Sequence, residues 1–412
     1  MRYQNVGHTA LRVARIAGMS GGATAVGSIL KSFPIGKPRT VKPVLCLSLL
    51  GAAVALFQFQ QVKADDDEKA ARFVPSVIVS SAVPANGDGN PYGMAFVPRG
   101  FPQGGPLKPG DLLASNFNDS APTQGKGTTI IKFTPVNGQV VASGSASVFF
   151  QGPKGLGFTT ALGVLRRGFV IVGSVPTTMG TFATIQPGSL LILDRNAKVV
   201  LTLTKKDLLD SPWDLTVQDE GDVAKVFVSN VVSGTVTRLD LAIMNGKPVV
   251  MGRTHIAKGY MVQPNTAAVI LGPTGVAYDA DKDVLYVAST ADNAIYAVPN
   301  AARRTAPPAN GTGAVFIRNS HLRGPLGLVL APNGDLITTN GDAVNGDLGQ
   351  PSEVVEFSRT GRFVGQFNVD PAQGGAFGIA VERSGEDRAK LAVVNDNAND
   401  VSVYTLQERD RD

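Results

Sequence analysis

The sequence predicts an all-β fold, a six-bladed β-propeller closed by an N-terminal strand. Three observations carry that prediction. First, the apolar runs are short. Gly272 to Asn300 reads GPTGVAYDADKDVLYVASTADNAIYAVPN, three runs separated by the polar turns DADKD and TADN. Each run is too short for a globular helix and rich in the Val, Ile and Tyr that suit a pleated, half-buried surface. Second, the same cadence occurs six times along the chain. Third, the last unit ends after three strands, while a strand near the N-terminus belongs to no unit.

In chain order, unit one runs from Asn90 to Ala142, unit two from Thr159 to Leu203 and unit three from Ser211 to Ile256. Unit four starts at the opening stretch and continues to Ile317; unit five spans Gly324 to Phe367 and unit six Ala376 to Leu406. Each opens on a turn signature: Pro91-Tyr92-Gly93, Leu162-Gly163, Pro212-Trp213-Asp214, Pro273-Thr274-Gly275, Pro325-Leu326-Gly327 and Phe377-Gly378. These anchors lie 51 to 70 residues apart, the period of a four-stranded blade with its loops. The segment FVPSVIVSSAV, Phe73 to Val83, then supplies the missing strand of unit six, which closes the ring and removes its open edges.

The first 64 residues stand apart. Pro43 to Phe57 is a fifteen-residue run without charge, preceded by Lys31, Lys37, Arg39 and Lys42 and followed by Val62-Lys63-Ala64. A basic region, a short apolar run and a small residue at the cleavage point read as an export signal. The run is short for a permanent membrane span. The expected organisation is a targeting segment over 1–64, an acidic linker over 65–72 and the propeller over 73–412, in a protein of the periplasm or exterior. Residues 1–64 carry eight Lys and Arg and no Asp or Glu, so 30 of the 38 basic residues remain beside 33 acidic ones, a net charge of −3. The basic balance of the whole chain belongs to the targeting segment and gives no argument for nucleic-acid binding. The only cysteine, Cys46, leaves with it, which excludes disulfides, thiol catalysis and thiolate metal sites from the remainder.

At unit four the residues reach a family. PTGVAYDADKDVLYVASTADNAIYAV resembles the NHL repeat in its P-x-G-V-A-x-D start, its Tyr-Val-Ala second strand and its Asn before an Ile. It departs in placing Ala294 where that repeat often carries a basic residue. The chain as a whole is similar to exported bacterial NHL-like proteins that share PYG-x-AFVP and SNFN. The resemblance implies a fold and a compartment, and a propeller fold by itself decides no activity.

Two rings of residues are expected on one face. The starts of the innermost strands bring Tyr92, Leu162, Trp213, Thr274, Leu326 and Phe377; the ends of the second strands bring Asn116, Ser174, Asn230, Thr290, Asn340 and Asn395. An apolar ring beside an Asn-rich ring has the composition of a ligand mouth, although Asn also suits a turn through its own backbone hydrogen bonds. Long polar connections between second and third strands in units one, two and five project from the same face. His321 and Arg323, in an entry loop there, complete the candidate ligand-binding set of Tyr92, Asn116, Trp213, Asn230, Asn340, Phe377 and Asn395.

After residue 64 no G-x-S-x-G elbow or H-E-x-x-H motif occurs, and the main expectation is therefore a monomeric, non-enzymatic binding protein. Its partner would be a small molecule, a glycan or an envelope protein, with no cofactor. The alternative is a calcium-dependent hydrolase. Asn and Asp oxygens around the axis are similar to those of gluconolactonase and paraoxonase-like enzymes, which hold Ca²⁺ there. Asp214 and Asp396 are the candidate metal ligands, since Ca²⁺ takes six to eight oxygens.

Overall fold

The computed structural model describes residues 72–75, 80–134, 146–341, 349, 353–383 and 388–407. The expected targeting segment, the linker and most of the unit-five loop Gly341 to Ser352 fall outside these residues. Among the described residues no helix is long and apolar enough to cross a membrane.

Six antiparallel sheets follow one another along the chain, each a meander of neighbouring strands. Blade 1 comprises Gly89–Phe96, Leu112–Asn118, Thr129–Phe133 and Ala146–Gln151. Blade 2 comprises Phe158–Leu165, Phe169–Ser174, Ser189–Asp194 and Val199–Leu203. Blade 3 has Pro212–Asp219, Val223–Asn230, Thr235–Met244 and the long outer strand Lys247–Lys258. Blade 4 has Pro273–Asp279, Val284–Ser289, Ala294–Pro299 and Ala314–Ile317. Blade 5 has Pro325–Leu330, Leu336–Asn340, Glu353–Phe357 and Phe363–Asn368. The first strand of each blade packs on the first strands of the blades before and after it, and that of blade 6 on that of blade 1. The ring is closed.

Blade 6 contains Ala376–Arg383, Arg388–Asn395 and Asp400–Gln407. Its outer strand comes from the other end of the chain. Arg72–Pro75 pairs antiparallel with the last strand, from Arg72 opposite Gln407 to Pro75 opposite Tyr404. Ser80 and Ser81 continue the pairing opposite Val401 and Asp400. The expected closing strand is thus present in two pieces.

The core lies between blades and along the axis. The second strands are almost wholly buried, as in Leu112–Asn118 and Phe169–Ser174. Strands covered on both faces read as continuous apolar runs, which is why VLYVAS and FVIVGS show no polar alternation. The inner strands approach closely at the anchor glycines. A Cβ on Gly93 would lie 2.7 Å from the carbonyl oxygen of Thr159, one on Gly275 2.5 Å from that of Leu326, and one on Gly327 2.7 Å from that of Phe377. These positions have no room for a side chain. The Pro-x-Gly signature is therefore a packing requirement between adjacent inner strands.

Candidate functional site

The site is set by what the inner strands do at each end of the axis. At their starts, a Ser or Thr one residue before the strand-ending Asn ties neighbouring blades together. Ser115 Oγ accepts the N–H of Gly93 at 3.0 Å and donates to the carbonyl of Thr159 at 2.9 Å. Ser229 accepts the N–H of Asp214 and donates to Thr274, and Thr339 accepts the N–H of Gly327 and donates to Phe377. In blade 2 the equivalent residue is Gly173, and Thr159 Oγ1 donates to Pro212 instead. Blade 4 reaches blade 5 through Thr274 and Thr290, both donating to Pro325.

The asparagines complete this framework. Asn116 Nδ2 donates to the carbonyl of Ala82 and to Thr129 Oγ1, both at 3.0 Å. Asn230 Oδ1 accepts the N–H of Asp210, and its Nδ2 donates to Thr235 and Thr237. Asn340 Oδ1 accepts the N–H of Arg323, while its Nδ2 donates to the His321 carbonyl and to Glu353 Oε1. Asn395 Nδ2 donates to Asp370 Oδ2 at 3.0 Å. Each side chain is buried and holds the loop that enters its blade.

The apolar ring is likewise packed. Trp213 is 1 % exposed, Tyr92 2 % and Phe377 3 %. The Tyr92 ring lies 4.9 Å from Phe117, 4.8 Å from Phe377 and 5.9 Å from Trp213, so side chains of blades 1, 3 and 6 meet across the axis. Leu326, Val175, Val231, Val269 and Ile270 belong to the same cluster. Leu162 does not. Phe158, not Leu162, stands opposite Ser174, because the inner strand of blade 2 carries one extra residue; Leu162 packs between blades 1 and 2.

One element over this end was not foreseen. The short hairpin Gln263–Pro264 and Ile270–Leu271 sits between blades 3 and 4 in sequence. It sends Val269 and Ile270 into the aromatic cluster, and the Ala267 carbonyl accepts a hydrogen bond from Gln124 of the long blade 1 loop. Val269 holds φ at +63°, a left-handed conformation uncommon for a β-branched residue. The signal in the sequence was the apolar triplet Val269-Ile270-Leu271 within an otherwise polar insert.

His321 and Arg323 lie at the rim. The His321 ring stacks on Phe363 at 3.7 Å, and its Nδ1 faces Gln366 Oε1 at 3.0 Å. Arg323 Nε donates to the Ser320 carbonyl. Neither reaches the axial cluster.

The other end of the axis is open. A cavity of about 400 Å³ is walled by the later residues of all six inner strands, among them Met94–Phe96, Asp214–Val217 and Gly378–Val381. Asp214 is its buried carboxylate. It occupies the anchor position that is Gly in four of the other blades, and its side chain fills the gap toward blade 4. Oδ1 accepts the N–H of Leu215 at 2.8 Å and Oδ2 that of Val276 at 3.1 Å. Burial raises its pKa well above the ordinary aspartate value, against the opposing effect of those two hydrogen bonds. The cavity is also lined by Thr160, Thr216 and Tyr278, with exposed Arg383 at its edge. The Tyr278 hydroxyl is pushed up to about 12, first by burial and then by its hydrogen bond to Asp283.

This donor set does not fit a calcium ion on the axis. Both Asp214 oxygens are engaged by backbone N–H groups, and among the described residues no three His, Cys, Asp or Glu side chains gather. Asp396 lies in the turn after Asn395, its N–H bonded to the Gly375 carbonyl, on a different blade from Asp214. The two candidate metal ligands are not brought together.

No family model matches the chain, and no curated protein matches it. Solved structures do resemble it. A gluconolactonase from Xanthomonas campestris is 14% identical over 82% of this chain and 98% of its own, with a TM-score of 0.47. A calcium-binding regucalcin from Agrobacterium tumefaciens is 13% identical over 80% of this chain and 96% of its own, with a TM-score of 0.46. At such identities the likeness speaks to the fold alone. The main functional expectation, a non-enzymatic protein binding its ligand at the loop-rich mouth, is corrected here: that mouth is packed shut by Tyr92, Phe117, Trp213 and Phe377.

Proposed function

We propose that the chain is a hydrolase of small cyclic esters that works in the axial cavity with Asp214 as its acid. The observation that carries this reading is Asp214 itself. It is the carboxylate that breaks the anchor-glycine pattern, and it does so where the inner strands wall an open cavity. A carboxyl group whose pKa is raised by burial is suited to general-acid chemistry. In the reaction, Asp214 gives its proton to the ring oxygen as the acyl C–O bond breaks. Water adds its oxygen to the carbonyl carbon and returns a proton to Asp214, leaving a ring-opened hydroxy acid. The likeness of Pro273 to Val298 to the NHL repeat supports placing the propeller in that sequence class.

The test is turnover of a panel of lactones and simple esters by the wild type and by Asp214→Asn and Asp214→Ala. The expected result is hydrolysis by the wild type and a loss of about 100-fold or more in both variants, the scale of a general acid's contribution. No turnover across the panel, or full activity in variants with unchanged circular dichroism, overturns the reading.

A further inference from the structure

Two charged side chains line the axial cavity, Asp214 and Arg383. They belong to the inner strands of blades 3 and 6, three blades apart in a closed ring, and so stand on opposite walls. They also stand at different depths. Asp214 Oδ2 accepts the N–H of Val276, one residue past the anchor Gly275. Arg383 Nη2 lies 3.5 Å from the carbonyl oxygen of Ala331, four residues past the anchor Gly327. Gly275 packs against Leu326, Gly327 and Leu328, so the two anchors share one level. Three residues of strand at about 3.3 Å each put the guanidinium roughly 10 Å further along the axis than the buried carboxyl.

Neighbouring cations at this end have carboxylate partners: Arg166 with Asp219, Arg167 with Asp222, Lys282 with Asp279, and Lys390 with Glu382 beside Arg383 itself. Arg383 is exposed, and among the described residues no carboxylate pairs with it. Between the two charges the wall is mostly apolar, with Phe96, Val217, Val329, Leu330 and Val381 half-buried along it. A buried acid, an apolar wall and an unpaired guanidinium in that order match an elongated, amphipathic ligand with one negative end.

We propose that the substrate is an ester or lactone with an apolar arm ending in a carboxylate, and that Arg383 holds this carboxylate about 10 Å from the bond on which Asp214 acts. A guanidinium makes paired, coplanar N–H···O contacts with a carboxylate. One guanidinium also balances one negative charge, which favours a carboxylate over a dianionic phosphate. The proposal rests on the hydrolase reading for the reacting bond, whereas its anion-binding half requires no turnover.

The experiment titrates the full chain by calorimetry with two probes of equal length, octanoate and octanamide, in the wild type, Arg383→Ala and Arg383→Lys. The wild type is expected to bind octanoate about tenfold or more tighter than octanamide, the difference that a charge-assisted pair supplies. That preference should shrink as NaCl is raised. Arg383→Ala should lose the preference and Arg383→Lys should keep part of it, with the melting curves of both matching the wild type because the side chain is exposed. Absence of octanoate binding, equal affinity for the two probes, or an unchanged preference in Arg383→Ala overturns the proposal. Turnover of neutral lactones without the preference leaves the hydrolase reading standing and removes this one. The preference without turnover of any lactone removes the hydrolase reading and leaves the anionic end of the ligand with Arg383.

Discussion

Ser229 Oγ donates to the Thr274 carbonyl at 2.7 Å while accepting the Asp214 N–H at 3.0 Å, so a single hydroxyl joins the inner strands of blades 3 and 4. Ser115 and Thr339 do the same for blades 1 and 2 and blades 5 and 6. Removing such a hydroxyl leaves a buried donor and a buried acceptor unpaired at once. Ser229→Ala and Thr339→Val are expected to cost about 1–3 kcal/mol each. Denaturant unfolding of the two variants checks this, and a change below a few tenths would mean that water replaces the hydroxyl.

Gly378→Ala should be worse. A Cβ there would overlap the Tyr92 carbonyl oxygen across the junction that closes the ring. Overpacking against backbone cannot relax by a rotamer change, and a loss of about 3 kcal/mol is expected. Gly365→Ala is the control, because nothing lies within 4 Å of its Cβ position. Equal melting temperatures for the two would show that the inner strands can part.

Asp214 gives a pH dependence with a definite sign. Its folded pKa is raised by burial, so between the unfolded and folded values the native state binds more protons than the unfolded state. The stability it contributes is complete below the unfolded value and is lost as pH rises through the folded one. Unfolding free energy of the wild type should fall as pH rises above the unfolded aspartate value of about 4 and through the raised folded one. Asp214→Asn should flatten that slope while costing about 1–2 kcal/mol, because an amide cannot accept from both Leu215 and Val276. A slope unchanged by the substitution would assign it to other groups.

The closing strand can be tested by trimming. A chain beginning at Pro84 lacks every partner that residues 72–81 give to Asp400–Gln407, and it exposes a strand edge. It should aggregate and melt about 3 °C or more below a chain beginning at Arg72, the shift that roughly 2 kcal/mol produces in a protein of this size. Identical curves would show that the blade is stable with three strands.

The blades were legible in the sequence because their signals are local. Pro-x-Gly marks the start of an inner strand, and Ser-Asn or Thr-Asn marks the end of a second strand, through contacts that any propeller of this kind must make. The anchor of blade 2 was misplaced for the same reason. Leu162-Gly163 has the right residues, but one extra residue in the inner strand puts Phe158 at the position paired with Ser174. The axial end was harder to read. A ring of Tyr92, Trp213 and Phe377 has the composition of a binding mouth and also that of a packed plug. What separates the two is the hairpin carrying Val269 and Ile270, whose position depends on contacts with Gln124 far away in the chain. Nothing in local spacing records that contact. Asp214 was legible as an exception to the glycine pattern, whereas the cavity it faces is built from six strands and belongs to none of them.

The pairing of Arg72 with Gln407 also sets an order in time. The strand that seals the ring is among the earliest parts of the folded region to be synthesised, and its partner is among the last. Blades 1 to 5 can form as local meanders while the chain lengthens, but blade 6 cannot gain its outer strand until Asp400–Gln407 has been made. Non-local pairing of this kind is slow, because loop closure must precede any contact that rewards it. Until then the chain carries two unpaired edges that can find each other or a neighbour. Its final folding step is a search between Arg72–Pro75 and Asp400–Gln407, and dilution should favour the correct outcome.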